Sequence, residues 1–186
     1  NFKKIWDKRN FFLKFLNLGT RVRKHAKYTV GNPNFDKLPI ITSWENDGGP
    51  FITLPLVYTE DPETKIHNLG MYRMHKYDNA TTGMHMQIGK GGGFHLAKAK
   101  ELKQSLPVNV FLGGPPALIL SAIAPLPENV PELLLCSMLL NHKLDLIKSP
   151  LSPLPYPANA EFVLIGSVNP EELLPEGPFG DHYGYY

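Results

Sequence analysis

The chain has a single cysteine, so Cys136 has no intrachain partner and a disulfide scaffold is excluded. Long hydrophobic runs are missing too. Residues 132–140 form an apolar stretch far short of the ~20 residues a membrane-spanning helix needs, and no other run approaches that length. Nor is there an excess of one charge: 19 basic residues against 17 acidic ones leave +2, and with ordinary apolar content this excludes wholesale disorder. The phosphate-loop pattern GxxxxGK(S/T), the HExxH helix and paired Cys/His metal spacings are all absent. What 186 residues can support is one globular domain with an appendage, soluble and intracellular, with a core that buries roughly 70% of the unfolded surface.

Residues 1–28 carry no apolar core followed by a small-residue cleavage site, so they are not a signal peptide. The chain closes on His182, Tyr183, Gly184, Tyr185 and Tyr186 without the polar fading usual at a terminus. Together the ends read as those of a piece of a longer chain. Charge is unevenly spread: residues 1–28 hold nine of the 19 basic residues and one acid, which leaves 10 basic and 16 acidic residues, or −6, elsewhere. Such an arm can contact nucleic acid or an anionic membrane. Ile5, Phe11, Phe12, Phe15 and Leu16 interleave with its charges at helical spacing, however, which favours an amphipathic helix packed on a neighbour. No nucleic-acid-binding module is recognisable, so no nucleic-acid partner is expected.

Short β-branched and apolar runs at residues 38–43, 51–59, 66–77, 83–88, 108–112 and 161–168 predict strands. Helices are predicted over 97–105, over 116–122 behind Pro115-Pro116, and over 132–140 behind Pro131. The prolines of residues 150–157 predict an extended linker. Strands outnumber helices and do not alternate with them, which predicts an α+β fold with a mainly antiparallel sheet or barrel.

Four groups can carry chemistry. In Asn68-Leu69-Gly70-Met71-Tyr72-Arg73 a strand places 68, 70 and 72 on one face and 69, 71 and 73 on the other, unless Gly70 marks a bulge. Arg73 can hold a carboxylate with its planar fork, or pair with any nearby acid. Gly89-Lys90-Gly91-Gly92-Gly93 can bring backbone amides to a phosphate, although a flexible turn is the more ordinary reading. Glu176-Gly177-Pro178-Phe179-Gly180-Asp181-His182 sets two carboxylates and a histidine on a stiffened loop, able to divide acid, base and orienting roles. The aromatic residues around that loop argue against a fully exposed acidic turn. His67, His75, His85, His95 and Glu132 lie at intervals that specify no metal site, and Cys136 in an apolar helix reads as an inert core thiol.

These segments resemble the UbiD family of prenylated-FMN-dependent decarboxylases. The resemblance rests on Ser43-Trp44 with residues 47–53, on Asn68 through Met74, on 107–114, on Ala124-Pro125-Leu126-Pro127-Glu128, on Pro157-Ala158 with Ala160-Glu161, and on Glu176 through Asp181 with Gly184-Tyr185-Tyr186. All run in family order. The resemblance implies a split β-barrel, flavin-reductase-like and FMN-binding, with flanking helices, over residues 38–186. Residues 1–37 become a basic amphipathic helical arm from a preceding domain, and a C-terminal oligomerisation domain lies beyond the chain. It further implies prenylated FMN held through a divalent metal, usually manganese, with potassium nearby. A flavin prenyltransferase supplies the cofactor, and the enzyme is a cytoplasmic homo-oligomer with peripheral membrane association left open. The implied reaction is reversible, non-oxidative decarboxylation of an aromatic or α,β-unsaturated acid, often on the way to a respiratory quinone.

The implied roles fall on individual residues. Asn68 and Glu132 ligate the metal; Arg73 faces substrate carboxylate and cofactor; Glu176 pairs with Arg73; Asp181 returns a proton to the carbon that loses carbon dioxide. Gly70, Met71, Lys90 and Pro125 join Asn68 and Arg73 as cofactor-binding residues. A hard cation suits an amide oxygen and a carboxylate, which agrees with the first pair. Three positions depart from the family pattern: Gly89 stands where a metal-ligating His precedes the basic residue, Ile165 where a Glu is usual, and Tyr183 where a Thr is usual. A weakened metal site, a phosphate anchor built from Lys90 and the glycines, or an altered pocket all follow as alternatives. A non-catalytic flavin- or partner-binding module is the competing function.

Overall fold

The computed structural model describes residues 16, 18–23, 28–87, 89–127 and 130–186. Its strands are β1 (Thr20–Arg23), β2 (Phe51–Ile52), β3 (Leu56–Glu60), β4 (His67–Met71), β5 (Met74–Lys76), β6 (Thr82–Met84), β7 (Leu106–Leu112), β8 (Leu144–Ile147), β9 (Tyr156–Pro157) and β10 (Phe162–Val168). The α-helices are α1 (Gly91–Glu101), α2 (Pro116–Ile123) and α3 (Glu132–Leu140). They build a mixed α/β fold of three small sheets, ordered β10-β7-β3-β4, β2-β5-β6 and β1-β8-β9. Among the described residues no sheet closes on itself. All pairings are antiparallel except β1 with β8.

β3 explains the layering. Leu56 and Tyr58 point into a core formed with Leu69, Phe111, Leu118, Leu133 and Cys136, beneath α2 and α3. Val57 points the other way, into a second core with Ile52, Tyr72, Met74 and Val110 that joins the four-stranded sheet to β2-β5-β6. A strand buried on both faces needs the unbroken apolar run its sequence has.

Several predicted boundaries move, each for a local reason. The run 51–59 divides into β2 and β3 at Pro55, which cannot donate to a ladder, and the two strands join different sheets. Residues 38–43 make one bridge, Ile41 to Phe51, instead of a strand. The run 66–77 breaks at Tyr72-Arg73 as the chain crosses between sheets. β7 begins at Leu106, one residue before Pro107; β10 covers that end but β3 pairs only from Asn109, so the missing donor falls on an open edge. The helix predicted over 97–105 begins six residues earlier, on the glycine run, and stops at Glu101 ahead of Lys103, which has φ 53°. Residues 150–157 are no free linker: Leu154 is buried, the Asn109 amide donates to its carbonyl at 2.8 Å, and Tyr156–Pro157 pairs with β8.

Within the expected helical arm, Thr20–Arg23 is a strand whose Arg21 and Arg23 both bind the Asp145 carboxylate, at 2.7 and 2.6 Å. That uses two of the basic residues read as a possible contact surface. Ile5, Phe11, Phe12 and Phe15 lie outside the described residues, and Leu16 is exposed. No helix among the described residues is long and apolar enough to cross a membrane.

Candidate active site

β4 delivers the first half of the site. Asn68, Gly70 and Tyr72 share one face, as alternation predicts, while Leu69 and Met71 pack into the core under α2 and α3. The Tyr72 ring folds back over Gly70, where a Cβ would stand 2.5 Å from it, so only glycine admits this packing. Opposite lies the start of α1. Its glycines form no flexible turn: Gly91, Gly92 and Gly93 are the first residues of the helix, and Lys90 is the exposed residue that caps it. A Cβ at Gly91 would lie 1.9 Å from Asn68 Oδ1, and one at Gly92 would lie 3.1 Å from the Tyr72 ring. Gly91 and Gly92 therefore serve close approach, at a helix start whose amides carry partial positive charge.

Glu132, first residue of α3, reaches the same place from the core side. Its Oε2 accepts the Leu69 N–H at 3.1 Å, beside Asn68. Burial raises its carboxyl above the ordinary glutamate value, against the pull of the backbone amides it accepts. Asn68 thus offers a hard oxygen at a glycine-lined helix start and Glu132 another at the adjoining Leu69 amide, donor types that fit a divalent cation bridged to a phosphate. No three His, Cys, Asp or Glu side chains converge on a metal site among the described residues. Gly89, at φ 86°, has nothing within 4 Å of its would-be Cβ. Of the histidines, His95 is buried with Nδ1 2.8 Å from Thr59 Oγ1, and His85 lies at the other end of the site, against Glu176. Pro125, exposed in the turn after α2, shows no described contact with these residues.

The second half is the loop after β10. Arg73 Nε donates to Glu176 Oε1 at 2.8 Å and Nη2 to Oε2 at 3.1 Å, the two-pronged pairing that fixes both groups in a plane. The guanidinium also lies over the Phe179 ring, 4.9 Å from its centre. His85 Nδ1 stands 3.1 Å from Glu176 Oε2. Partial burial alone would raise the Glu176 carboxyl, but the hydrogen bonds and charge of Arg73, aided by His85, hold it below the ordinary glutamate value.

What holds the loop is the turn at residues 44–50. Asp47 Oδ1 accepts the Gly180 N–H at 2.7 Å while its Oδ2 accepts Ser43 and Trp44 amides. Gly48 N donates to Pro178 O at 2.8 Å, and a Cβ on Gly48 would sit 2.2 Å from Gly177 O. His75, buried and stacked on Phe51 at 4.4 Å, accepts from Gly177 N at 3.4 Å; Phe51 in turn meets Phe179 at 4.7 Å. Asp181 faces its own terminal turn, with Oδ1 accepting the Tyr183 and Tyr185 amides at 2.8 and 3.0 Å, and it makes no described bond to Arg73 or Glu176. The structure so joins Arg73 to Glu176, and Asn68 to the neighbourhood of Glu132 and the glycines, and leaves Asp181 apart. Tyr72, His75, His85 and Asp47 carry geometry that sequence reasoning assigned to none of them. The signal for Asp47 and His75 lay in the glycines facing them, Gly180 and Gly49.

The UbiD family model, described as the 3-octaprenyl-4-hydroxybenzoate carboxy-lyase Rift-related domain, matches residues 20–186. The chain belongs to the UbiD family. It is 53% identical over 192 residues to an uncharacterized protein of Chlamydia trachomatis, and 49% identical over 185 residues to a 4-hydroxybenzoate decarboxylase subunit of Chlamydia pneumoniae. These matches take in 100% and 98% of the chain but only 33% and 32% of those proteins, about a third of their length. Among solved structures, the UbiD-class enzyme HmfF of Pelotomaculum thermopropionicum in complex with FMN aligns with a TM-score of 0.85 at 27% identity, over 96% of this chain and 42% of that one. The vanillic acid decarboxylase of Sedimentibacter hydroxybenzoicus in closed form aligns at 0.81 and 27%, over 98% and 41%. The match begins at residue 20, so this UbiD domain takes in β1 from the segment read as an arm.

Proposed function

We propose that this chain is the cofactor-binding domain of a prenylated-FMN-dependent decarboxylase, built as a split β-barrel with flanking helices. In this reading residues 38–186, with β1 added from the arm of 1–37, form most of that domain, the rest of the arm leads from a preceding domain, and a C-terminal domain completes a homo-oligomer. The observation that carries it is the pairing of Arg73 with Glu176 at one end of the β4–β5 crossing while, at the other, Asn68 meets the glycine start of α1 and Glu132 binds the neighbouring Leu69 amide. Support comes from HmfF, whose structures hold FMN or prenylated FMN. Asn68 and Glu132 would hold manganese or another divalent ion against the cofactor phosphate, with Lys90 adding charge; Gly70, Met71 and Pro125 stay assigned to cofactor binding in this reading, and potassium would accompany the metal. Bound there, the flavin supplies the electron sink for the electrons left when carbon dioxide departs.

The chain's own residues do the rest. Arg73 orients the carboxylate of an aromatic or unsaturated acid, and Glu176 fixes the guanidinium plane and balances its charge. Asp181 holds a proton for the carbon that loses carbon dioxide, and the reverse transfer serves carboxylation. A cytoplasmic enzyme of quinone biosynthesis, supplied by a flavin prenyltransferase, takes no part in nucleic-acid binding. The test is co-expression of the full-length protein with a flavin prenyltransferase, followed by the absorption spectrum and mass of the co-purified cofactor and by carbon dioxide release from 4-hydroxybenzoate. Prenylated FMN with turnover is expected; no flavin and no turnover refutes the reading. Gly89 in the usual His position favours a second reading, a flavin-binding module without catalysis, which would retain flavin and turn over no acid.

A further inference from the structure

Tyr72 stands between the two halves of the site and belongs to neither set of assigned residues. Its side chain is buried, and its Oη accepts the Gly92 N–H at 3.0 Å. The same oxygen accepts Asn68 Nδ2 at 3.4 Å. Its ring occupies the space over Gly70 and against Gly92 that two Cβ atoms would otherwise fill. Asn68 Oδ1 is thereby turned the opposite way, into the place a Gly91 Cβ would take, at the start of α1.

We propose that Tyr72 is the positioning residue of the phosphate end: by accepting from Asn68 Nδ2 and from Gly92 N–H together, it aims Asn68 Oδ1 at a cation and docks the α1 start beside it. The proposal rests on the reading of this site as one for FMN and a divalent ion. The geometry is specific about direction. A phenol oxygen has two lone pairs and one proton. If both lone pairs are used as described, the amide oxygen is free for a metal. With the amide reversed, Tyr72 would donate to Oδ1 and compete with the metal for it. The two arrangements therefore predict opposite effects of removing the hydroxyl. Gly91 plays the complementary part, since its missing side chain is what leaves Oδ1 room. With no histidine at Gly89, the aim of Asn68 matters more here than in a site with three protein ligands.

The experiment measures FMN binding to the full-length protein by flavin fluorescence, with Mn²⁺ and with the metal chelated. Mn²⁺ is expected to tighten FMN binding in the wild type. Tyr72→Phe keeps the ring and should lose most of that tightening, about tenfold as for other groups that orient metal ligands, while metal-free FMN affinity stays close to wild type. Gly91→Ala should reproduce the loss by crowding Asn68, in a helix that alanine otherwise favours, and so serves if Tyr72→Phe does not fold. An equal loss with and without Mn²⁺ in both variants would reduce Tyr72 to a structural residue and overturn the proposal. Unchanged or increased Mn²⁺ tightening in Tyr72→Phe would overturn it by showing the reversed amide. A wild type that binds no FMN under either condition would overturn the flavin reading itself, and the proposal with it.

Discussion

Replacing Glu176 by Gln tests the loop and the pair together. The side chains are isosteric, so the change removes charge without opening a cavity. Arg73 keeps 33% of its side-chain exposure and Glu176 14%, which places the pair between surface ion pairs and buried ones. Exposed pairs contribute about 0–1 kcal/mol, and breaking a buried pair costs about 3–5 kcal/mol. With two charge-assisted bonds and the Arg73 side chain only partly in water, a loss of about 1–2 kcal/mol is expected, close to a factor of ten in an opening equilibrium. Amide hydrogen exchange over residues 175–181 of the full-length protein reads that opening directly, because Gly177 and Gly180 donate across the loop's contacts. The variant should exchange about tenfold faster at pH 7. Acid provides the control. The Glu176 carboxyl lies below its ordinary value in the folded state, so the stabilisation is fully present above that ordinary value, ~4.3, and is lost as pH falls through the depressed one. The ratio of variant to wild-type exchange should therefore fall toward one at pH well below 4. A ratio near one at pH 7, or a tenfold ratio persisting in acid, refutes the idea that this pair helps the 44–50 turn hold the loop.

Asp181→Asn retains an oxygen for the Tyr183 and Tyr185 amides, so the turn and the cofactor content should persist while decarboxylation of an aromatic acid falls about 10²–10⁴-fold; parental turnover would remove Asp181 from the proton path. Gly48→Ala places a Cβ against the Gly177 carbonyl and should cost about 1–3 kcal/mol in thermal unfolding, with exchange over 175–181 raised more than elsewhere. Glu132→Gln keeps an acceptor for the Leu69 amide but removes the charge, so equilibrium dialysis should show Mn²⁺ affinity in the presence of FMN reduced at least about tenfold; because coupling is reciprocal, Mn²⁺ should also bind the wild type more tightly with FMN than without. Burial pushes the Cys136 thiol up to about 11, so mass spectrometry should find it unmodified by iodoacetamide in the native protein at pH 7.5, and rapid labelling there would contradict its place in the core.

What was legible in the sequence was whatever a short window decides. Pro131 opens α3 at Glu132 and the apolar stretch runs out at Leu140, so that helix appears where it was predicted. The alternation at 68, 70 and 72 holds for the same reason. The two halves of residues 51–59, by contrast, differ in partner and not in composition, so nothing local separates β2 from β3 except Pro55. β8, Leu144–Ile147, went unpredicted because four residues of mixed character gain their strand from β1 and β9. The glycines at 91–93 misled most. In isolation three glycines disfavour a helix, yet Asn68 and Tyr72, well earlier in the chain, occupy the space that a side chain at Gly91 or Gly92 would need. The partner of a glycine run is a tertiary fact.

The site's arrangement follows from one such fact, the passage of the chain between sheets. β4 ends at Met71 in the four-stranded sheet and β5 begins at Met74 in the three-stranded one, so only Tyr72 and Arg73 lie in the gap. Neither belongs to a strand, although the Arg73 carbonyl accepts the His85 N–H at 3.2 Å, and their side chains diverge. Tyr72 turns back along β4 to the α1 start and Asn68, while Arg73 turns forward to Glu176 and Phe179. Two consecutive residues thus face opposite ends of one site, and each is fixed by contacts from a different part of the fold. A lengthened gap would let either side chain relax independently of the other. A continuous strand would send Tyr72 and Arg73 to opposite faces of a single sheet, and the guanidinium would lose its approach to the 176–181 loop. The break that sequence periodicity passes over is the element that sets the distance between the two halves.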